Sequence, residues 1–110
     1  MELNVLHIPS DSFALETELK QKKSKYMEHI YKTFKTNFVD NKITKKKLKI
    51  FQFRGTNLIV ILKYSHYMTN LKNLLDYYII DEQYEKCELI KNIINYLDNN
   101  KNIDDNTGSN

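Results

Sequence analysis

Between Leu71 and Leu97 the apolar residues follow a helical period twice in succession, interrupted once by a short polar segment. Leu71, Leu74, Leu75, Tyr78 and Ile79 recur at steps of three and one, which places them on one face of a helix with 3.6 residues per turn. Tyr84, Cys87, Ile90, Ile94 and Leu97 repeat the pattern after Asp81-Glu82-Gln83. A connection this short makes the two helices antiparallel neighbours. Asp81 is placed to cap the second helix through its carboxylate, and Glu85 lies at the positive end of that helix's dipole.

The residues of the second helix carry a resemblance. Tyr84-Glu85-x-Cys87-x-x-Ile90-Lys91-Asn92-x-Ile94 resembles the second half of a UVR motif, the helical hairpin of bacterial excision-repair proteins and of some protease-associated regulators. Cys87 stands for the first small residue of that motif, Lys91 for its arginine and Ile94 for its closing isoleucine. Leu75 matches the large apolar position of the first helix. Glu88 replaces the second small residue, Asn92 replaces an aspartate, and Tyr78-Ile79 occupy the place of an alanine pair. The likeness covers about a quarter of the chain, and it implies a protein-binding hairpin rather than an active site.

The remainder of the chain supplies a sheet and another helix. Leu3 to Ile8 is mostly apolar and stopped by Pro9, as suits a short strand. Ser10-Asp11-Ser12 then offers side-chain oxygens for an N-cap. A long helix is expected from there to about Phe38, with Leu15, Leu19, Tyr26, Met27, Ile30, Phe34 and Phe38 on its apolar stripe. Gln21-Lys22-Lys23-Ser24-Lys25 interrupts that stripe, so the helix either projects from the body there or breaks. Asp40-Asn41-Lys42 reads as a turn.

Leu48 to Phe53 and Leu58 to Leu62 are apolar runs separated by Arg54-Gly55-Thr56-Asn57. Gly55 and Asn57 tolerate positive φ, so the two runs form a β-hairpin. The second run has no polar alternation and is expected to be central or buried on both faces. Leu3 to Ile8 is the expected third strand. Residues 98–110 hold one apolar side chain, Ile103, and read as a disordered polar tail.

These elements define an α+β fold in the order β-α-β-β-α-α: a small antiparallel or mixed three-stranded sheet, a long N-terminal helix and a C-terminal helical hairpin. At 110 residues, 41% of them hydrophobic, with two glycines and one proline, a single globular domain over residues 1–97 is expected. One cysteine excludes an internal disulfide. No apolar run approaches 18 residues, and the first residues lack the blocks of a signal peptide, so an intracellular (cytoplasmic) protein without a membrane span is expected. Lys, Asn, Ile and Tyr number 16, 13, 12 and 8. All four have AT-rich codons, which suggests an AT-rich genome, with phage and large viruses among the candidate sources.

The sequence offers little for catalysis. His7, His29 and His66 fall on separate elements, and no metal-ligand spacing, paired cysteine or phosphate-cradling glycine loop is present. The carboxylates Asp81, Glu82, Glu85 and Glu88 read as a solvated helix face. A non-enzyme without cofactor or metal is therefore expected.

Charge and aromatic content point instead to recognition. Tyr77, Tyr78, Tyr84 and Tyr96 exceed what one small core easily buries, and tyrosine suits interfaces that are apolar on one side and wet on the other. The leading expectation is a protein-interaction or regulatory module, an adaptor or inhibitor, that meets a basic partner surface through Tyr77, Tyr84, Glu85, Glu88 and Lys91. The same surplus permits a homodimer. The alternative is a nucleic-acid-binding module. Residues 1–54 carry a net charge of +6 and residues 55–110 carry −3, and five of the eight residues from Lys42 to Lys49 are lysine. Lys45, Lys46, Lys47, Lys49 and Arg54 would contact the phosphate backbone. With a single arginine in the chain, such binding would be weakly sequence-specific.

Overall fold

The computed structural model describes the backbone of residues 5–108 and the side chains of residues 5–100. The fold is α+β, with four α-helices, five strands in two small sheets and a helical hairpin at the C-terminal end. The described residues divide into two compact units. One comprises residues 5–37 and 45–64, the other residues 38–44 and 65–108.

In the first unit, β1 (Leu6–Ile8), β4 (Lys47–Phe53) and β5 (Ile59–Lys63) form a mixed sheet in the order β1-β4-β5. β1 runs parallel to β4, with Leu6 opposite Phe51 and Ile8 opposite Phe53, and β5 runs antiparallel to β4. The beginning of the expected first strand, Leu3 and Asn4, lies outside the described residues. The hairpin turn forms where glycine is placed. Gly55 adopts φ 74°, and the Thr56 hydroxyl donates to the Phe53 carbonyl (2.9 Å) while accepting from the Leu58 N–H (3.1 Å). Asn57 does not take a positive φ.

The position of β5 corrects the sequence reading. It is an edge strand with alternating exposure, and β4 is the central strand. β1 takes the other side of β4, so the run Ile59-Val60-Ile61-Leu62 turns Val60 and Leu62 inward and leaves Ile59 and Ile61 outward. The register between β4 and β5 shifts between Lys49 and Phe51, with one extra residue on β4. A bulge of this kind lets consecutive residues serve the same face. Ile50 is buried, and the Phe51 ring meets Tyr26 (5.7 Å between centroids) and His29 (5.6 Å) of the overlying helix.

The expected long helix is two helices, α1 (Ser12–Gln21) and α2 (Lys23–Asn37), parted at Lys22 within the lysine-rich interruption. Asp11 is the N-cap of α1, and its carboxylate accepts from the Ala14 N–H at 2.8 Å. α1 buries no residue: Leu19 is exposed and Leu15 half-buried. α2 supplies the packed face through Tyr26, Tyr31, Thr33 and Phe34. The buried Thr33 satisfies its hydroxyl on the His29 carbonyl one turn back (2.8 Å).

The second unit begins with β2 (Phe38–Val39) and β3 (Lys42–Ile43), a two-stranded ribbon at the position read as a turn. Asp40 and Asn41 take φ of 53° and 58°, the two consecutive positive values that a tight hairpin loop of type I′ requires. The ribbon packs against the C-terminal helix, with the Phe38 ring edge-on to Tyr96. Next come a short 3₁₀ turn at Tyr64–His66, then α3 (Tyr67–Ile80) and α4 (Tyr84–Gly108).

α3 and α4 bury Tyr67, Leu71, Leu74 and Tyr78 from the first helix and Cys87, Ile90, Ile93 and Leu97 from the second. Docking against α3 buries Ile93 completely and leaves Ile94 half-buried; Leu75 is half-buried too, and Ile79 and Tyr84 turn outward. α4 continues through residues 98–108, where composition predicts disorder. Once a helix is nucleated, each further residue adds one backbone hydrogen bond.

Candidate protein-binding surface on the helical hairpin

The turn between α3 and α4 sets the site. The Asp81 carboxylate does not cap α4; it accepts from the Gln83 side-chain amide. The turn instead closes through the backbone. Glu82 stands at φ 58°, its N–H bonds the Ile79 carbonyl (3.1 Å), and the Gln83 N–H bonds the Tyr78 carbonyl (2.9 Å). Those two bonds are the Schellman pair that satisfies the last carbonyls of a helix. The Gln83 carbonyl in turn accepts from the Cys87 N–H (3.2 Å) and starts α4. Three residues thus end one helix and begin the next, and they hold the last turn of α3 beside the first turn of α4.

Large apolar side chains surround this tip. Ile80 is 83% exposed, Tyr84 65% and Ile79 45%. Single exposed aliphatic residues are ordinary on a protein surface, but three within six residues of a tight turn form a cluster. Tyr77 is half-buried, with its ring edge-on to the buried Tyr78 at 5.0 Å. It lies one turn before Ile80 on the same side of α3. The Lys86 ammonium lies 4.8 Å from the centre of the Tyr78 ring and so covers the inner tyrosine.

Charge forms the rim. Asp81, Glu82, Glu85 and Glu88 are all exposed. On α4, Tyr84, Glu88 and Lys91 fall at positions i, i+4 and i+7, one stripe of the helix, with Glu85 beside it. The structure therefore gathers Tyr84, Glu85, Glu88 and Lys91 on the outer side of α4 and places Tyr77 at the edge of the same hairpin end. Periodicity in the sequence did not single out Ile79 and Ile80, because it assigned Ile79 to the core stripe. The signal available was the pair of isoleucines immediately before a polar turn.

No family model, curated protein or solved structure matches this chain.

The lysine-rich alternative lies in the first unit. Lys45, Lys46, Lys47 and Lys49 are exposed. The Lys46 ammonium sits 4.0 Å above the Tyr64 ring. Lys47 faces Lys63 across the β4–β5 ladder, and Lys49 faces Ile61. Arg54 is engaged elsewhere: its guanidinium donates to both carboxylate oxygens of Glu18, at 3.0 and 3.2 Å. That fork holds the Glu18 carboxyl below its usual range.

Titratable groups with catalytic potential are dispersed. His29 donates from Nε2 to the Ile50 carbonyl (2.7 Å), and burial pushes its pKa down. Burial likewise raises the Tyr26 hydroxyl. His7 and His66 are exposed on separate elements, and Cys87 is buried in the hairpin core. Among the described residues no group of three or more His, Cys, Asp or Glu side chains converges as a metal site, and no helix is long and apolar enough to cross a membrane.

Proposed function

We propose that this chain is a small, non-enzymatic interaction module that binds another protein through the tip of its C-terminal helical hairpin, acting as an adaptor or inhibitor. The observation that carries this reading is the exposure of Ile79, Ile80 and Tyr84 around a turn whose three backbone N–H groups, at Asp81, Glu82 and Gln83, are all hydrogen-bonded. An apolar cluster on a stiff support loses little conformational freedom when a partner covers it. Fully burying an isoleucine or tyrosine of this kind contributes on the order of 1.5–3 kcal/mol, the scale of an interface anchor.

The acidic rim selects a partner with basic residues around an apolar recess. Charges at a rim act mainly on association rate and on the choice of partner. The UVR-like pattern of Tyr84, Glu85, Cys87, Ile90 and Lys91 agrees with a protein-binding hairpin, and Cys87 and Ile90 serve here as its buried support.

Affinity capture from an extract of the source organism tests the reading, comparing the unaltered chain with the double variant Tyr84→Ala, Glu85→Lys. Loss of a stoichiometric partner with the fold intact supports the hairpin contact. A partner retained undiminished by the variant would refute it.

A further inference from the structure

The outer face of the three-stranded sheet has a composition that neither the core nor the hairpin explains. Ladder pairing and exposure identify its members. Lys47 lies opposite Lys63, Lys49 opposite Ile61, and Gln52 opposite Ile59. Lys47, Lys49 and Lys63 are exposed, and Ile59 and Ile61 are 39% and 46% exposed. Among the described residues this face carries three ammonium groups and no carboxylate.

The same face ends at an open edge. β5 pairs with β4 alone among the described strands, so the other side of its backbone offers a row of N–H and C=O groups. Edge strands are commonly protected by a proline, a bulge or their own brevity. β5 is five residues long without proline, and the bulge of this sheet lies on the inner strand, β4. Lysine protects one end of β5, at Lys63, while Ile59 and Ile61 carry no charge.

We propose that β5 is a docking edge for an extended acidic segment of another protein, which adds to the sheet as a fourth strand. Main-chain hydrogen bonds to β5 would hold the segment. Its alternate side chains would lie on the outer face, with aliphatic residues beside Ile59 and Ile61 and a carboxylate beside Lys63, toward which the long side chain of Lys47 reaches from the next strand. Charge complementarity decides the occupant. A second copy pairing β5 with β5 would bring two sets of the three lysines onto one face, where like charges oppose pairing. A nucleic-acid strand would find phosphate contacts but, among the described residues, no exposed aromatic ring on this face on which to stack bases. This surface shares no residue with the hairpin tip, so the proposal stands or falls independently of that reading.

The test uses the full chain and a synthetic acetylated heptapeptide with a C-terminal fluorescein, Thr-Val-Thr-Ile-Thr-Glu-Glu, whose second, fourth and sixth side chains (aliphatic, aliphatic, acidic) share one face of a strand, followed by fluorescence anisotropy and by amide shifts in isotope-labelled protein. The expected result is saturable binding with the largest shifts at residues 59–63. Affinity should drop about tenfold or more in the triple variant Lys47→Glu, Lys49→Glu, Lys63→Glu, and similarly when alternate peptide nitrogens are methylated to remove donors. Equal binding of the methylated peptide would overturn strand addition, because charge alone would then account for it. Absent peptide binding, shifts confined to other residues, or binding restricted to an oligothymidine control would each overturn the proposal as well.

Discussion

Glu82 occupies the left-handed region at φ 58° and returns its backbone N–H to the Ile79 carbonyl at 3.1 Å. That position is the one where helices most often use glycine, because a Cβ is strained there by roughly 1–2 kcal/mol. Glu82→Gly is therefore expected to raise the unfolding free energy by about 0.5–1 kcal/mol, the strain relief being partly offset by greater freedom in the unfolded chain. Urea denaturation reads the change. A loss of stability would mean that the Glu82 side chain contributes more than its backbone strain costs.

A pH dependence follows from His29. Burial lowers its pKa from the ordinary 6.5, and the neutral ring donates to the Ile50 carbonyl. The unfolded chain then takes up a proton at a higher pH than the folded one. The contribution is complete above pH 6.5 and is lost as pH falls toward the folded value, with a slope of at most about 1.4 kcal/mol per pH unit for one proton. Denaturant unfolding at several pH values between 7.5 and 5 should show this decline, and His29→Gln should flatten it. An unchanged slope in the variant would assign the dependence to other groups.

α1 depends on Arg54. The helix buries no side chain of its own. The Arg54 fork on Glu18 is reinforced by Ser10, whose hydroxyl donates to the Arg54 carbonyl (2.7 Å), and by the Arg54 N–H on the Ile8 carbonyl (2.7 Å). Arg54→Ala is expected to speed amide exchange across Ser12–Gln21 while leaving α3 and α4 protected. High salt should do the same in part, since the pair is exposed to solvent on the arginine side. Unaltered protection of α1 would show that its contacts with α2 suffice.

Core and tip should separate in a mutant series. Ile93 is fully buried and Leu74 nearly so. Their replacement by alanine is expected to cost about 2–5 kcal/mol each through lost burial and the cavity left behind. Ile80→Asn and Tyr84→Ala, at exposed positions, should change stability by no more than about 0.5 kcal/mol. Thermal or urea unfolding checks both. A large loss at Ile80 or Tyr84 would make the tip part of the scaffold.

The helical hairpin was legible because Leu71, Leu74, Tyr78, Cys87, Ile90 and Leu97 keep a strict period around three polar residues. The β-hairpin was legible from Gly55 between two strand-forming runs. What the sequence concealed was long-range. Nothing local distinguishes an aliphatic edge strand from a central one, so the place of β5 emerged only once β1 was seen on the far side of β4. The Glu18–Arg54 pair spans 36 positions and leaves no periodic trace. Ile93 and Ile94 are adjacent and chemically identical, so only the docked helix chooses between them. At the candidate site, Tyr84 and the acidic residues were readable from composition, but Ile80 became part of it only when the turn was seen to hold it outward.

The proposal that the hairpin tip is a protein-binding surface is tested most directly by site-specific photocrosslinking. A benzophenone amino acid is placed at position 80 or 84, with position 72 on the exposed side of α3 as control, and the protein is irradiated in an extract of the source organism. A discrete adduct to one protein from positions 80 and 84, absent from position 72 and abolished in the Glu85→Lys, Glu88→Lys background, is the predicted result. No adduct from the tip, or indistinguishable adducts from all three positions, would contradict it.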